Sequence, residues 1–291
     1  MTDARWAALV LELPRSLEDE VAGLLGSGSL GVEISALEGE RSRLRIYVAS
    51  AGEAESLAAR SLEERRLRGV PPEAWLHSLV PVEDRRWAER YQESLRPFRI
   101  GDRFIVVPND SVSVDLSGEP LYLVPGMAFG TGEHPTTRLC VAALERAVTA
   151  GSTWLDLGSG SGILALVAAR CGAREVVACD VDPETVPVAR DTVLRNALEG
   201  SIRVNEGSAG DWAGRDFDGV VANIAAEYFM ERAAELSAVL RPTGLAVISG
   251  FLAENGPEIE HALARAGLLP SESATLDGWA LRVARRSATE R

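Results

Sequence analysis

The sequence predicts an α/β protein in two parts: a small ferredoxin-like α+β sandwich, then a larger doubly wound domain built on a mostly parallel sheet. Three observations predict it. The chain has 291 residues, more than the roughly 100 to 200 that one core usually organises. Residues 6–80 read by period as strand, helix, strand, strand, helix and a last strand, whereas from Thr153 onward strands alternate with helices. The second series opens with LDLGSGSG, a glycine-dense turn at the place where open α/β sheets bind ligands.

Composition narrows the function classes. Hydrophobic residues make up 46% and charged residues 25%, as in soluble globular proteins with enough apolar material to bury. The start, MTDARWAALVLELPRSLEDE, has no basic region ahead of its apolar run, and no run approaches the roughly 20 residues of a spanning helix. A cytoplasmic protein without membrane association is expected. Cys140, Cys171 and Cys179 form no C-x-x-C pair, so neither a disulfide framework nor a metal site is expected. The formal charge of −13 repels a phosphate backbone and counts against direct nucleic-acid contact, while suiting a basic partner.

In the first domain, residues 1–80, the strands are WAALVLEL, LGVEISAL, RLRIYVAS and a stretch near Trp75 to Val80; the helices are SLEDEVAGLLGSG and AESLAARSLEERRLRG. Ser16 followed by Asp19 fits an N-cap for the first helix. None of these residues looks chemical, which leaves a recognition module or a structural add-on. Residues 81–97, PVEDRRWAERYQESLRP, read as a linker helix with Trp87 and Tyr91 four apart on one face.

The second domain, residues 98–291, starts with FRIGDRFIVVPND and SVSVDLSGEPLYLVPG, β-prone runs that suggest a hairpin. Then follow TWLDLG, a helix from Ile163 to Arg170, EVVACD, a helix around Pro183 to Asn196, SIRVNEG, FDGVVANI, a helix from Ala226 to Leu240, and GLAVISGF. A helix over Glu258 to Ala266 precedes two late strands joined at Asp277 and Gly278, a hairpin turn signal.

The chemistry concentrates in a few segments. Asp156 ends the first strand of this series, and Gly158, Gly160 and Gly162 turn the chain into a helix, leaving room for a ligand against the backbone. The dinucleotide fingerprint needs a glycine where Ile163 stands, so a nicotinamide reading loses its spacing. Asp180 ends the next strand, some 20 residues on, where an acid can bind ribose hydroxyls or merely cap a helix. In PGMAFGTGEHPTT, residues 125–137, Gly126, Gly130 and Gly132 suit a mobile lid or an irregular connection. Pro135, Thr136 and Thr137 begin a helix whose N-terminus can hold a carboxylate. Asn223 follows the fourth strand at the ligand edge, and Glu227 stands just beyond, to attract a cationic amine or to serve as a helix-start charge. His134 is a candidate proton relay, although a loop histidine is more often structural.

Taken together, D-x-G-x-G-x-G with Asp180 resembles the Rossmann-like, seven-stranded class I S-adenosylmethionine-dependent methyltransferases. GMAFGTGEHPTT and VANI, flanking LDLGSGSGILA, are similar to the methyltransferase family that modifies large-subunit ribosomal protein eleven in bacteria. This likeness covers about residues 81–286. It implies S-adenosylmethionine as cofactor, with Thr137, Gly158, Asp180 and Asn223 at its site and Gly160 in the same loop. It also implies that Asn223 positions the acceptor amine and that the reaction methylates lysine side chains and the N-terminal amine of a basic ribosomal protein. The N-terminal domain would recognise that protein, and a monomer is expected. Two departures stand out. Many amino-methyltransferases carry Asn-Pro-Pro where Asn223 is followed by Ile224 and Ala225, and the linker has Arg86 and Tyr91 where more tryptophan-rich character is expected. The competing readings are a related class I methyltransferase for another protein or small amine, and a non-catalytic module that senses the cofactor.

Overall fold

The computed structural model describes residues 7–26, 29, 31–48, 50–81, 96–108, 117–124 and 132–288. The expected linker helix with Arg86, Trp87 and Tyr91, the run SVSVDL, and Gly126 and Gly130 lie outside the described residues. The chain divides into two compact units, Met1–Ser94 and Leu95–Arg291.

The first unit runs β1 (Ala7–Pro14), α1 (Glu18–Gly26), β2 (Gly31–Leu37), β3 (Arg41–Val48), α2 (Ala51–Leu67) and β4 (Leu76–Pro81). Its antiparallel sheet has the order β2-β3-β1-β4, the split βαβ arrangement the sequence predicts. Alternation in β1 turns Leu9, Leu11 and Leu13 onto Val21 and Leu25 of α1 and Leu57 of α2. Ser50 caps α2 by accepting the Glu53 amide. The cap expected at Ser16 does not form: Arg15–Leu17 make a 3-10 turn that already feeds α1, so Ser16 lies within a helical turn, and no side chain caps that turn. Trp75 precedes β4 instead of joining it; its ring is buried in the core and its indole N–H donates to Ser61 Oγ at 3.0 Å.

The second unit holds a seven-stranded sheet of β8 (Thr153–Leu157), β9 (Glu175–Asp180), β10 (Ile202–Glu206), β11 (Phe217–Asn223), β12 (Leu240–Leu252), β13 (Leu268–Leu276) and β14 (Trp279–Arg286). The order is β10-β9-β8-β11-β12-β14-β13, parallel except where β14 runs against β12 and β13. One face is covered by α3 (Pro135–Ala147), α4 (Ile163–Arg170) and α5 (Thr185–Arg195), the other by α6 (Ala226–Val239) and α7 (Gly256–Arg265). Cover on both faces explains why β9 and β11 read as continuous apolar runs: Val176 to Cys179 and Val220 to Ala222 are fully buried. Asp277 and Gly278 both take positive φ, 50° and 82°, the geometry of a tight hairpin turn between β13 and β14.

Ahead of α3 lies a three-stranded sheet of β5 (Phe98–Ile100), β6 (Phe104–Val107) and β7 (Glu119–Tyr122). Here the expectation of a hairpin between the two runs is corrected. The hairpin falls within the first run, β5 to β6 through Gly101, and β7 joins β6 in parallel. A parallel neighbour requires a crossover in place of a hairpin turn, and residues 109–116 between the two strands lie outside the described residues. Two side chains fix this sheet to the helices. The Glu145 carboxylate of α3 accepts the Asp102 and Arg103 amides at 2.8–3.0 Å. Asn196, after α5, accepts the Tyr122 N–H at 3.0 Å and donates to the Tyr122 carbonyl at 2.7 Å, completing β7 as a further strand would.

Candidate active site

Strands β8 and β11 are neighbours, yet the chain leaves them toward opposite ends of the sheet. That is a topological switch point, where a crevice opens beyond the carboxyl ends of the strands. The glycine loop fills its floor. The amides of Gly158 and Ser159 donate to the Cys179 carbonyl at 2.8 and 3.0 Å, and the Gly162 amide to the Ser159 carbonyl at 2.7 Å. Gly158, Gly160 and Gly162 take φ of 71°, 49° and 82°, a series that only glycine adopts without strain.

Asp180, the last residue of β9, locks this loop. Its Oδ2 accepts the Gly160 amide at 2.9 Å and its Oδ1 the Asp182 amide at 3.1 Å. A carboxylate has about four lone-pair positions, so two remain for a ligand. Asp156 is fully buried on β8. Its Oδ2 accepts the Ala165 amide in the first turn of α4 at 2.9 Å, while buried Oδ1 has no partner among the described residues. Desolvation pushes this carboxyl up to about 7; the Ala165 amide works the other way and Asp180 adds to the rise.

The opposite wall joins residues far apart in sequence. Thr137, third residue of α3 and buried, accepts from Asn223 Nδ2 at 3.4 Å. Asn223 ends β11, and its buried Oδ1 has no partner among the described residues. The structure therefore joins Gly160 to Asp180 and Thr137 to Asn223. His134 is the N-cap of α3: its Nδ1 accepts the Thr136 amide at 3.4 Å and lies 2.7 Å from Thr136 Oγ1. Its ring packs edge-on against Trp279, with centroids 4.7 Å apart. Glu227 is exposed in the first turn of α6.

Three residues to which the sequence assigned no role, Ile224, Ser249 and Gly250, belong here. Ile224 donates its amide to the Ser249 carbonyl at 3.1 Å, and Gly250 runs directly against the Ile224 main chain. The signal available was the glycine in VISGF, since a glycine inside a strand marks close backbone approach. A separate cavity of about 320 Å³ lies at the other end of the sheet, lined by Trp154, Arg146, Arg241 and Arg285 among others. Arg241 and Arg146 there pair with Asp218 and Glu272, and it holds none of the groups above. The crevice is the chemically equipped site.

Buried acceptors without partners cost about 1–3 kcal/mol each. Asp156 Oδ1, Asn223 Oδ1 and the buried Ser159 hydroxyl are all in that state around the switch point, which suits a ligand that brings donors. No group of three or more His, Cys, Asp or Glu side chains that could hold a metal occurs among the described residues. No described helix is long and apolar enough to cross a membrane.

Comparison with known proteins agrees with this geometry. The family model described as Ribosomal protein L11 methyltransferase (PrmA) matches residues 10–287. The ribosomal protein L11 methyltransferase of Symbiobacterium thermophilum is 41% identical over 199 residues, 68% of this chain and 65% of that protein, just under two thirds. That of Geobacter metallireducens is 34% identical over 299 aligned positions, 95% of this chain and 97% of its own. The crystal structure of ribosomal protein L11 methylase from Lactobacillus delbrueckii subsp. bulgaricus superposes with a TM-score of 0.61 at 30% identity, covering 66% of this chain and 100% of that one. The chain belongs to the ribosomal protein L11 methyltransferase family.

Proposed function

We propose that the protein transfers methyl groups from S-adenosylmethionine to amines of ribosomal protein L11, at lysine side chains and the N-terminal amine. The observation that carries this reading is the pairing of the Asp180-locked glycine loop with an Asn223 whose Oδ1 is buried and without a partner. The residues fit the cofactor: an acid at the end of β9 for the ribose, a tight glycine turn beside it, and the N-terminus of α3 at Thr137 for a carboxylate.

When bound, S-adenosylmethionine supplies a methyl group on a cationic sulfonium to a nucleophile approaching in line. The chain's own residues do the rest by holding geometry. Asp180 offers its two remaining lone-pair positions to the ribose hydroxyls while keeping the loop closed through Gly160. Thr137 and the positive end of the α3 dipole favour an anionic group. Asn223 Oδ1 accepts an N–H of the acceptor amine, and Nδ2, tied to Thr137, fixes the direction in which Oδ1 faces. A lysine amine has an ordinary pKa near 10.4 and reacts only when neutral; entry into a dry crevice favours the neutral form. The contacts of His134 support a capping role in α3 over a proton relay.

The first unit, which gathers no such chemistry, serves to recognise the acceptor protein. The net charge of −13 suits a basic partner and disfavours direct contact with nucleic acid. The two walls of the crevice separate by titration and kinetics. Asp180→Ala is expected to weaken S-adenosylmethionine binding in calorimetry, and Asn223→Ala to lower kcat at least about tenfold through loss of amine alignment. Full turnover by Asn223→Ala would sink the assignment of the amine to Asn223.

A further inference from the structure

The residue after Asn223 is held from three directions. The Ile224 amide donates to the Ser249 carbonyl at 3.1 Å, and Ser249, fully buried, is itself tied through Oγ to the Ala280 carbonyl at 2.7 Å. On the β12 side, a methyl group on Gly250 would stand 2.3 Å from the Ile224 carbonyl oxygen and 2.8 Å from its carbonyl carbon and nitrogen. On the other side, a methyl group on Gly158 would stand 2.3 Å from Ile224 Cγ2. Gly250 and Gly158 also take φ of 100° and 71°. Both glycines are therefore the room that Ile224 occupies, one against its main chain and one against its β-branch.

Gly158 belongs to the loop assigned to the methyl donor, and Asn223 to the turn assigned to the acceptor amine. The atoms that a methyl group on Gly158 would meet within 4 Å, Cγ2 and Cβ, both belong to Ile224. Ile224 has no proline ring to fix its φ.

We propose that Ile224 is a positioning residue that sets the spacing between the donor loop and the acceptor turn, by seating Cγ2 over Gly158 and its main chain on Gly250. The inference rests on the role assigned above to Asn223. Transfer needs the reacting atoms within about 3–3.5 Å and in line, and a displacement near 1 Å costs up to about a hundredfold. Ile224 sets this spacing through Gly158 and Gly250, so its loss reads out in turnover and leaves donor affinity, which depends on Asp180, in place.

The test uses the full chain and purified ribosomal protein L11, comparing wild type with Ile224→Val, Ile224→Leu, Ile224→Ala and Gly250→Ala. Valine keeps the Cγ2 branch; leucine keeps the volume and loses the branch. Leucine and alanine at 224, and alanine at 250, are expected to lower kcat by about tenfold or more, with the calorimetric Kd for S-adenosylmethionine unchanged, and valine to restore turnover. Leucine, being close to isoleucine in volume, keeps the measurement available should the alanine variant unfold. Unchanged kcat in the leucine variant would overturn the proposal, as would a Kd that weakens in step with kcat, or a valine variant as impaired as leucine. Those results leave wild-type transfer intact. Absence of transfer by the wild type despite donor binding would instead overturn the functional reading, and this inference with it.

Discussion

Asp156 shows how a single buried carboxyl shapes the site. It is held in the folded chain with its titration pushed from 3.8 up to about 7 by burial, with one oxygen bonded to the Ala165 amide and the other without a partner among the described residues. Because the folded value lies above the unfolded one, the folded state keeps a proton that the unfolded chain releases between those two values. Stability from this group is therefore present below pH 3.8, falls as pH rises toward about 7, and changes no further above it. Asp156→Asn cannot ionise. The Tm of the asparagine variant minus that of wild type is expected to grow over that pH window in the protein without ligand. A difference that stays constant with pH would contradict the burial of an ionisable Asp156. The residue was visible in sequence as the first letter of the D-x-G-x-G-x-G turn; its unpartnered oxygen was not, because partners are a property of the packed fold.

At the scale of elements, local patterns were legible and long-range pairings were not. The helix Ile163–Arg170 and the Asp277–Gly278 turn stand where the sequence places them, since each is fixed by neighbours along the chain. The parallel pairing of β7 with β6 was missed because nothing within either run encodes a crossover. Ser16 was misread because a polar residue before a helix signals a cap equally well when the chain enters through a 3-10 turn. Asn223 and Thr137, 86 positions apart, came together in the sequence reading only through resemblance to a family, and Ile224 against Gly250 did not come at all. The clamp on β7 gives a stability test. Asn196→Ala leaves the N–H and carbonyl of Tyr122 and the Thr192 carbonyl without their side-chain partner. It is expected to cost about 1–3 kcal/mol in urea unfolding, with an unchanged m-value. No loss of stability would mean that water replaces the clamp without penalty.

On the scale of the whole molecule, the chain is acidic and contains no lysine: all 30 of its basic residues are arginine. If the proposed lysine methylation holds, a chain without lysine leaves no lysine of its own to be methylated, and methyl-lysine in a reaction mixture comes from the acceptor. Arginine supplies the ion pairs in its place, as in Arg43 to Glu12 of the first unit and Arg241 to Asp218 of the second. The division into two compact units was legible from the first strand and helix series, ending at residue 80, and the second, opening at Thr153 with the glycine turn at Gly158. The proposed acceptor comes only from likeness to the family.

The most direct test of the central claim is transfer of labelled methyl from S-adenosylmethionine to purified ribosomal protein L11, followed by mass spectrometry of the acceptor, with Asp180→Ala beside wild type. The account predicts label on lysine side chains or the N-terminal amine of the acceptor, lost in the Asp180 variant. Donor binding by wild type with no label on ribosomal protein L11 would contradict it.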